Sequence, residues 1–483
     1  MLPPKPGRRW IGTFVAAATL GFAAAAAPAN AAVRYATPTG AGTDCSAAAP
    51  CSLTTAIGSA PASSEIVVAP GSYGSTASPL APLRTAFVAG VSVHGVEGQD
   101  PPVIYATGPA LQMRGASPTV ANLHIEQVST AAGQNGLEAQ GAGTVVDRVY
   151  VHTVGINNPI TAGASFACAG AADGRWTNSV CWTTGGNPLS LNMTSGTTTV
   201  RNMTLYAGTS NYAALAVYGS APAVVNLSNS LPESAMYADS GVHVNVDHSD
   251  TRYGTFGAGT FQMGDGNIAT GPTFVDAPHG DFHQGPGSSS IDAGASDPAN
   301  GTLDLDGNLR SIGSLPDIGA YEAAHAPVAT TGAADGIDTA GATLHGTVDT
   351  GGSRTTYSFE YGATTSYGSS TAATTAPPAA GATPVSAPVT GLAPGTVVHY
   401  RVVATNRQGT SGGLDQTFTT AVPTAPPPGG GGDGGGGGGD TTQPPSSVFT
   451  AAPPAGCAAA ACDVKVTVPG PGSLTATDAD AGS

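Results

Sequence analysis

Charged residues make up only 10% of this chain, so the places where they gather are where chemistry would be sought. The densest is "DLDGNLRSIGSLPDIGAYE", Asp304 to Glu322, with three aspartates, a glutamate and Arg310 in nineteen residues. Asp304, Asp306 and Asn308 set oxygen ligands at alternate positions, as calcium prefers. Glycine stands fourth and Leu315 twelfth, however, where an EF-hand loop needs glutamate. The trio is therefore a weak candidate for structural calcium, and no other cofactor is implied. A second group, "VNVDHSDTRYG", holds Asp247, His248, Asp250 and Arg252. Glycoside hydrolysis needs two carboxyls flanking the bond, and a spacing of three does not put Asp247 and Asp250 on one strand face. A third group lies in "FACAGAADGRWTNSVCW". Phe166, Asp173, Arg175, Trp176 and Trp182 combine aromatic faces with polar groups, which suits stacking on a sugar. Trp176, Val180 and Trp182 share strand parity, so the alternative is that all three point into a core. No catalytic residue is assigned.

The ends of the chain narrow the context. Lys5, Arg8 and Arg9, an apolar run to Ala27 and the small-x-small Ala29-Asn30-Ala31 read as a secretory signal over residues 1–31. Its removal takes the formal charge from -16 to -19. A chain so acidic is not expected to bind nucleic acid through phosphates. It also repels polyanionic sugars unless a local basic site overrides the net field. No membrane span is expected after the signal, and the protein is expected to be a secreted, extracellular or cell-surface monomer.

Strands must position these residues, because 69 glycines and 39 prolines leave no long helical periodicity. The segments "VANLHIEQV", "VVDRVYVHT", "WTNSVCWTT", "VRNMTLYAG" and "VVNLSNSLP" repeat a polar residue among alternating apolar ones, at Asn122, Asp147, Asn178, Asn202 and Asn226. Spacings of 25, 31, 24 and 24 residues indicate a β-solenoid of roughly ten coils with a side-chain ladder at the recurring turn. The six cysteines fall in close pairs, Cys45/Cys51, Cys168/Cys181 and Cys457/Cys462, read as disulfides that clip loops. The Cys168/Cys181 pair would tie an extended loop at the longest spacing.

"CSAAAPCSLTTAI", "EIVVAPGSY", the repeats and "GPTFVDAPHGDFHQGPGSSSIDAGASD" leading into the Asp304 segment resemble secreted bacterial right-handed parallel β-helix proteins of pectate-lyase-like fold. The ending resembles their choice-of-anchor Q motif, and the resemblance covers roughly residues 33–323. It implies that Asp292, Asp304, Asp306, Arg310 and Asp317 close the last coil. It does not imply lyase activity. The Asp-Asp pair and Gly-His-Gly of polygalacturonase-like β-helices are absent from the sequence. Lys465, the one lysine after the signal, lies outside the repeats, which excludes a lysine base there. Arg84, Arg114, Arg148, Arg175, Arg201 and Arg252 remain as isolated arginines.

The predicted organisation is all-β: a β-helix with an N-terminal cap over 32–325, then a sandwich over 326–422. "GLAPGTVVHYRVVATNRQG" resembles a fibronectin type III domain in which Tyr400 bonds back across the fold. A Pro/Gly linker at 423–447 and an incomplete β domain or disordered tail at 448–483 follow. The function expected is non-catalytic binding of an extracellular polysaccharide or surface glycan. The alternatives are a polysaccharide lyase or hydrolase, and a structural envelope component.

Overall fold

A computed structural model describes residues 32–129, 134–154, 165–208, 212–219 and 222–423. The chain divides into two units, and the second begins at Thr424. The segments expected to be a signal (1–31), a linker beyond Pro423 and a tail with Cys457 and Cys462 lie outside the described residues.

The main sheet has fifteen parallel strands, ten of them in one continuous path from Val33–Ala36 through Thr119–Gln127, Val145–Thr153, Gly196–Arg201 and Ala223–Ser228 to Val242–Asp247 and Thr260–Met263. A second sheet of eight parallel strands faces it, from Leu83–Arg84 to Thr255–Gly257. Each strand is too short to bury a face alone, and stacking coils at about 4.8 Å both pairs the backbones and closes a continuous core. Val120, Ile125, Val146, Val151, Val200, Leu227 and Val246 point inward and are at most 1% exposed. The fold is a parallel β-helix, all-β as expected.

The ladder differs from the sequence reading at two rungs. Backbone φ is positive at Asn122, Arg148, Asn178, Asn202, Asn229 and His248. Strand register aligns them, since Asp147 pairs with Ala121 and Thr177, and Ser228 with Arg201 and Asp247. Asp147 therefore lies one residue before the turn, and Asn226 sits within a strand, accepting from Asn245 Nδ2 at 2.9 Å. Asparagine tolerates the left-handed backbone, and here its side chain also links rungs. Asn202 Nδ2 donates to Asn178 Oδ1 (2.8 Å), and Asn178 Nδ2 donates to Asp147 Oδ1 (2.9 Å).

Two disulfides are formed among the described residues. Cys45–Cys51 closes a turn beside the six-residue helix Leu53–Gly58, whose Leu53, Ala56 and Ile57 are buried at the N-terminal end of the stack. Cys168–Cys181 corrects the loop-clip expectation. Its cysteines lie on Ser165–Ala171 and Val180–Thr183, strands of the two opposed sheets, and both are fully buried. The bridge crosses the core. The extra length of that coil falls between Thr153 and Ser165, mostly outside the described residues.

The closing segment also differs from expectation. It does not finish the last coil. After Met263 the chain forms an antiparallel hairpin, Phe274–Asp276 with Asp281–Gln284, and lies across the outer face of the main sheet. Asn300 anchors it on the ladder: its carbonyl accepts from Asn178 and Asn202 Nδ2 (3.1 Å each) and its Oδ1 from Asn229 Nδ2 (3.2 Å). Phe282, Ala320, Tyr321 and Leu305 form a second apolar cluster there with Val180 and Trp182. Buried Arg310 holds the segment by donating to the carbonyls of Asp317 (2.9 Å) and Gly319 (2.6 Å).

Residues beyond His325 form two antiparallel sheets of three and six strands, with Leu344, Phe359, Tyr400 and Val402 between them. Tyr400 Oη donates to Gly332 O at 2.7 Å. The turn after Val397–Asn406 meets the closing segment, where Arg407 Nη1 reaches Asp306 Oδ2 at 2.9 Å.

Candidate functional site

Alternation puts every second residue of the main sheet outside. Register then stacks Tyr105, Glu126, His152, Trp182 and Tyr206 in one column, one rung per coil. Glu233 continues it, following Pro232, which pairs with Leu205. A parallel column holds His124, Tyr150 and Val180. The hairpin covers the column at Trp182 and Tyr206, where Phe282 meets them at ring distances of 5.7 and 5.0 Å. Gly280 makes this approach possible, since a Cβ there would stand 2.4 Å from both Trp182 and the Tyr150 hydroxyl. Tyr150 Oη donates to the Gly280 carbonyl at 3.2 Å.

Upstream of the hairpin the column stays open. A cleft of about 510 Å³ remains, floored by His124, Glu126, Tyr150, His152 and Trp182 and walled by Asp281, His283, Asp306, Tyr321 and Arg407. Two ion clusters face each other across it. Glu126 is held by His124 Nε2 (2.6 Å) and His152 Nδ1 (2.7 Å). His283 is held by Asp281 through Nδ1 (2.6 Å) and by Asp306 through Nε2 (2.8 Å). Burial works against the charge of Glu126, but the two imidazoles outweigh it and hold the carboxyl down at about 2. Burial likewise opposes the charge of His283, but the two aspartates lift its pKa to about 9. His152 lies flat on Trp182, with ring centroids 3.7 Å apart.

The aromatic ledge of the sequence reading is dispersed. Trp176 is fully buried in the coil interior, because its position in Arg175–Thr177 faces inward opposite Val146 and Val200. Phe166 is half-buried on the opposite sheet. Asp173 is in an exposed turn, accepting from Thr197 N at 3.0 Å, and Arg175 is exposed nearby. Of the five residues, Trp182 alone lines the cleft. It lies outside because the ladder turn at Asn178 (φ 49°) interrupts the strand and resets its alternation.

Asp304, Asp306 and Asn308 form no cation cage. Asp304 Oδ1 accepts from Asn308 N (2.7 Å), and its Oδ2 accepts from Asn308 Nδ2 (3.0 Å) and Glu322 N (2.8 Å). Asp306 faces His283 and Arg407. The carboxylates are thus met by N–H donors, the reverse of what a cation needs. No group of three or more metal-ligating side chains is found among the described residues. Asp250 and Arg252 form an ion pair at 3.0 Å, and Arg252 also meets Glu233. Burial pushes the Glu233 carboxyl up to about 8.

His124, Glu126, Tyr150, His152, Asp281, His283 and Arg407 were not singled out by the sequence reading. A signal for four of them existed. Glu126, His152, Trp182, Tyr206 and Glu233 each stand four residues after a ladder position, and His124 and Tyr150 two after. With the ladder placed at Asp147 and Asn226, that alignment slips and the column disappears.

No protein-family model and no curated protein matches the chain. Three solved structures are similar. The crystal structure of pectate lyase Pel9A aligns with 61% of this chain and 96% of its own, at 15% identity and TM-score 0.33. The sensor domain of the anti-sigma factor RsgI4 of Pseudobacteroides cellulosolvens aligns with 21% of this chain and 94% of its own, at 20% identity and TM-score 0.18. Chitinase ChiW from Paenibacillus sp. str. FPU-7, described as a cell-surface-expressed multi-modular enzyme, aligns with 75% of this chain and 24% of its own, at 14% identity and TM-score 0.16.

Proposed function

We propose that this is a secreted protein that binds an extracellular polysaccharide in the cleft above the main sheet without cleaving it. The observation that carries the reading is the open part of the column, where Glu126, His152 and Trp182 rise by one coil each beside His124 and Tyr150. A rise of about 4.8 Å per coil is comparable to one unit of an extended sugar chain. Aromatic faces with fixed polar groups are the usual equipment for holding such a chain. The sandwich, which we take to be of fibronectin type III kind, and the closing segment of choice-of-anchor Q kind supply the opposite wall.

A cleaving enzyme is the second reading, because carboxylate–histidine clusters face each other across the groove. Acid–base catalysis works best with groups poised near the operating pH. Glu126 at about 2 is a weak base and His283 at about 9 a reluctant acid. This favours binding. The test is a polysaccharide panel on the full chain, read both for retention and for new reducing or unsaturated ends. Retention without new ends, weakened by Glu126→Gln, is expected; new ends that vanish in Glu126→Gln establish the enzyme reading instead.

A further inference from the structure

The second sheet carries a separate feature near the N-terminal coils. Phe87 is 81% exposed, yet it is not on a slack loop. Thr85 N donates to Gln112 O (3.1 Å), Arg114 N donates to Thr85 Oγ1 (2.7 Å), and Val88 N donates to Ala86 O (2.8 Å). Gly115 (φ 102°) lies directly under this turn, where a Cβ would come within 2.2 Å of Val88 O. A Cβ on Gly141, one coil further, would meet Gly115 O at 1.8 Å. Three coils are thus drawn together into a shelf, and the ring is held out on a pinned backbone.

The shelf is locally basic. The Arg114 guanidinium lies 4.7 Å from the Phe87 ring centroid, and its Nε donates to Gln112 Oε1 at 2.9 Å. Arg84 pairs in register with Gln112, is exposed, and has no ion pair or side-chain hydrogen bond among the described residues. The one carboxylate here, Glu138, is already met by Asn135 Nδ2 (2.6 Å) and by Gln112 Nε2. Phe87, Gln112, Arg114 and Glu138 line a groove of about 490 Å³.

We propose that this shelf is a second glycan site and that it takes an anionic sugar unit, carboxylated or sulfated. The apolar face of the sugar lies on Phe87, and its acid group is received by Arg84 and Arg114. Guanidinium donors match an oxyanion in geometry and charge, and a preorganised ring binds with little ordering cost. The surrounding net charge is negative, so only a local surplus of cations admits such a ligand.

The test is affinity electrophoresis of the full chain in polygalacturonate, dextran sulfate and neutral dextran. Retardation by at least one anionic polymer, and not by dextran, is expected, and the two anionic arms tell carboxylate from sulfate. Arg84→Gln with Arg114→Gln weakens it by roughly tenfold or more, and Phe87→Ala by roughly two- to tenfold. All three side chains are at the surface, and unfolding curves of each variant confirm the fold. Retardation that ignores Phe87→Ala means diffuse charge and overturns the site. Retardation lost in Glu126→Gln but kept in the arginine variant assigns the anion to the cleft and overturns it too. The absence of retardation in both anionic gels does the same.

Discussion

One column of side chains on the main sheet lives in two environments. Glu126 and His152 border an open cleft, Trp182 stands at its edge against Phe282, and Tyr206 lies beneath the hairpin against the same ring. Strand, register and rung spacing are the same in both halves. The difference comes from a segment more than sixty residues further along the chain, which covers the Tyr206 ring and leaves the Glu126–His152 pair at the cleft. A solenoid face is thus neither core nor site by itself; what lies over it decides.

Phe282→Ala breaks the covered half most strongly. Removing a ring from that cluster costs about 3–5 kcal/mol, and we expect the urea midpoint to fall and Trp182 fluorescence to shift red. Asn202→Ala comes next. Its buried amide holds both Asn178 and the carbonyl of Asn300, so about 1–3 kcal/mol is lost and the closing segment loosens. Gly280→Ala sharpens the comparison within the hairpin itself. With φ at 87° and Trp182 in the way, it costs about 1–3 kcal/mol and shifts the wall of the cleft, visible as weaker polysaccharide retention.

The wall should also respond to pH. His283 binds its proton more tightly in the folded state, about 9 against 6.5. Its contribution is therefore complete below about 6.5 and is lost as pH rises through about 9. Urea midpoints across that range should fall more for the native chain than for His283→Gln. The smallest effect is expected at Asn226→Ala, within about 0.5 kcal/mol, because the Asn226 side chain bonds to Asn245 on the outward, solvent-facing side of the sheet. A loss as large as that of Asn202→Ala would restore it to the ladder.

The repeats alone were enough to specify stacked short strands, since a period in the twenties with alternating apolar residues has few other ways to bury its inner face. Proximity of the cysteines along the chain likewise indicated the two bridges, although not that Cys168–Cys181 crosses the core. The site was less legible. A ladder set one residue early at Asp147 and three early at Asn226 shifts alternation, and one step in a strand exchanges inside for outside. Trp176 and Trp182 accordingly looked equivalent, and the turn between them sends one inward and the other out.

Asp304, Asp306 and Asn308 were read for the ions their oxygens could hold. Their partners, Glu322 N, His283 and Arg407, come from other parts of the chain. Spacing along the chain determines which residues share a coil and which way they face. The cleft depends on the hairpin and the sandwich turn arriving over that face, and the long-range contacts that bring them there leave no periodic trace in the sequence.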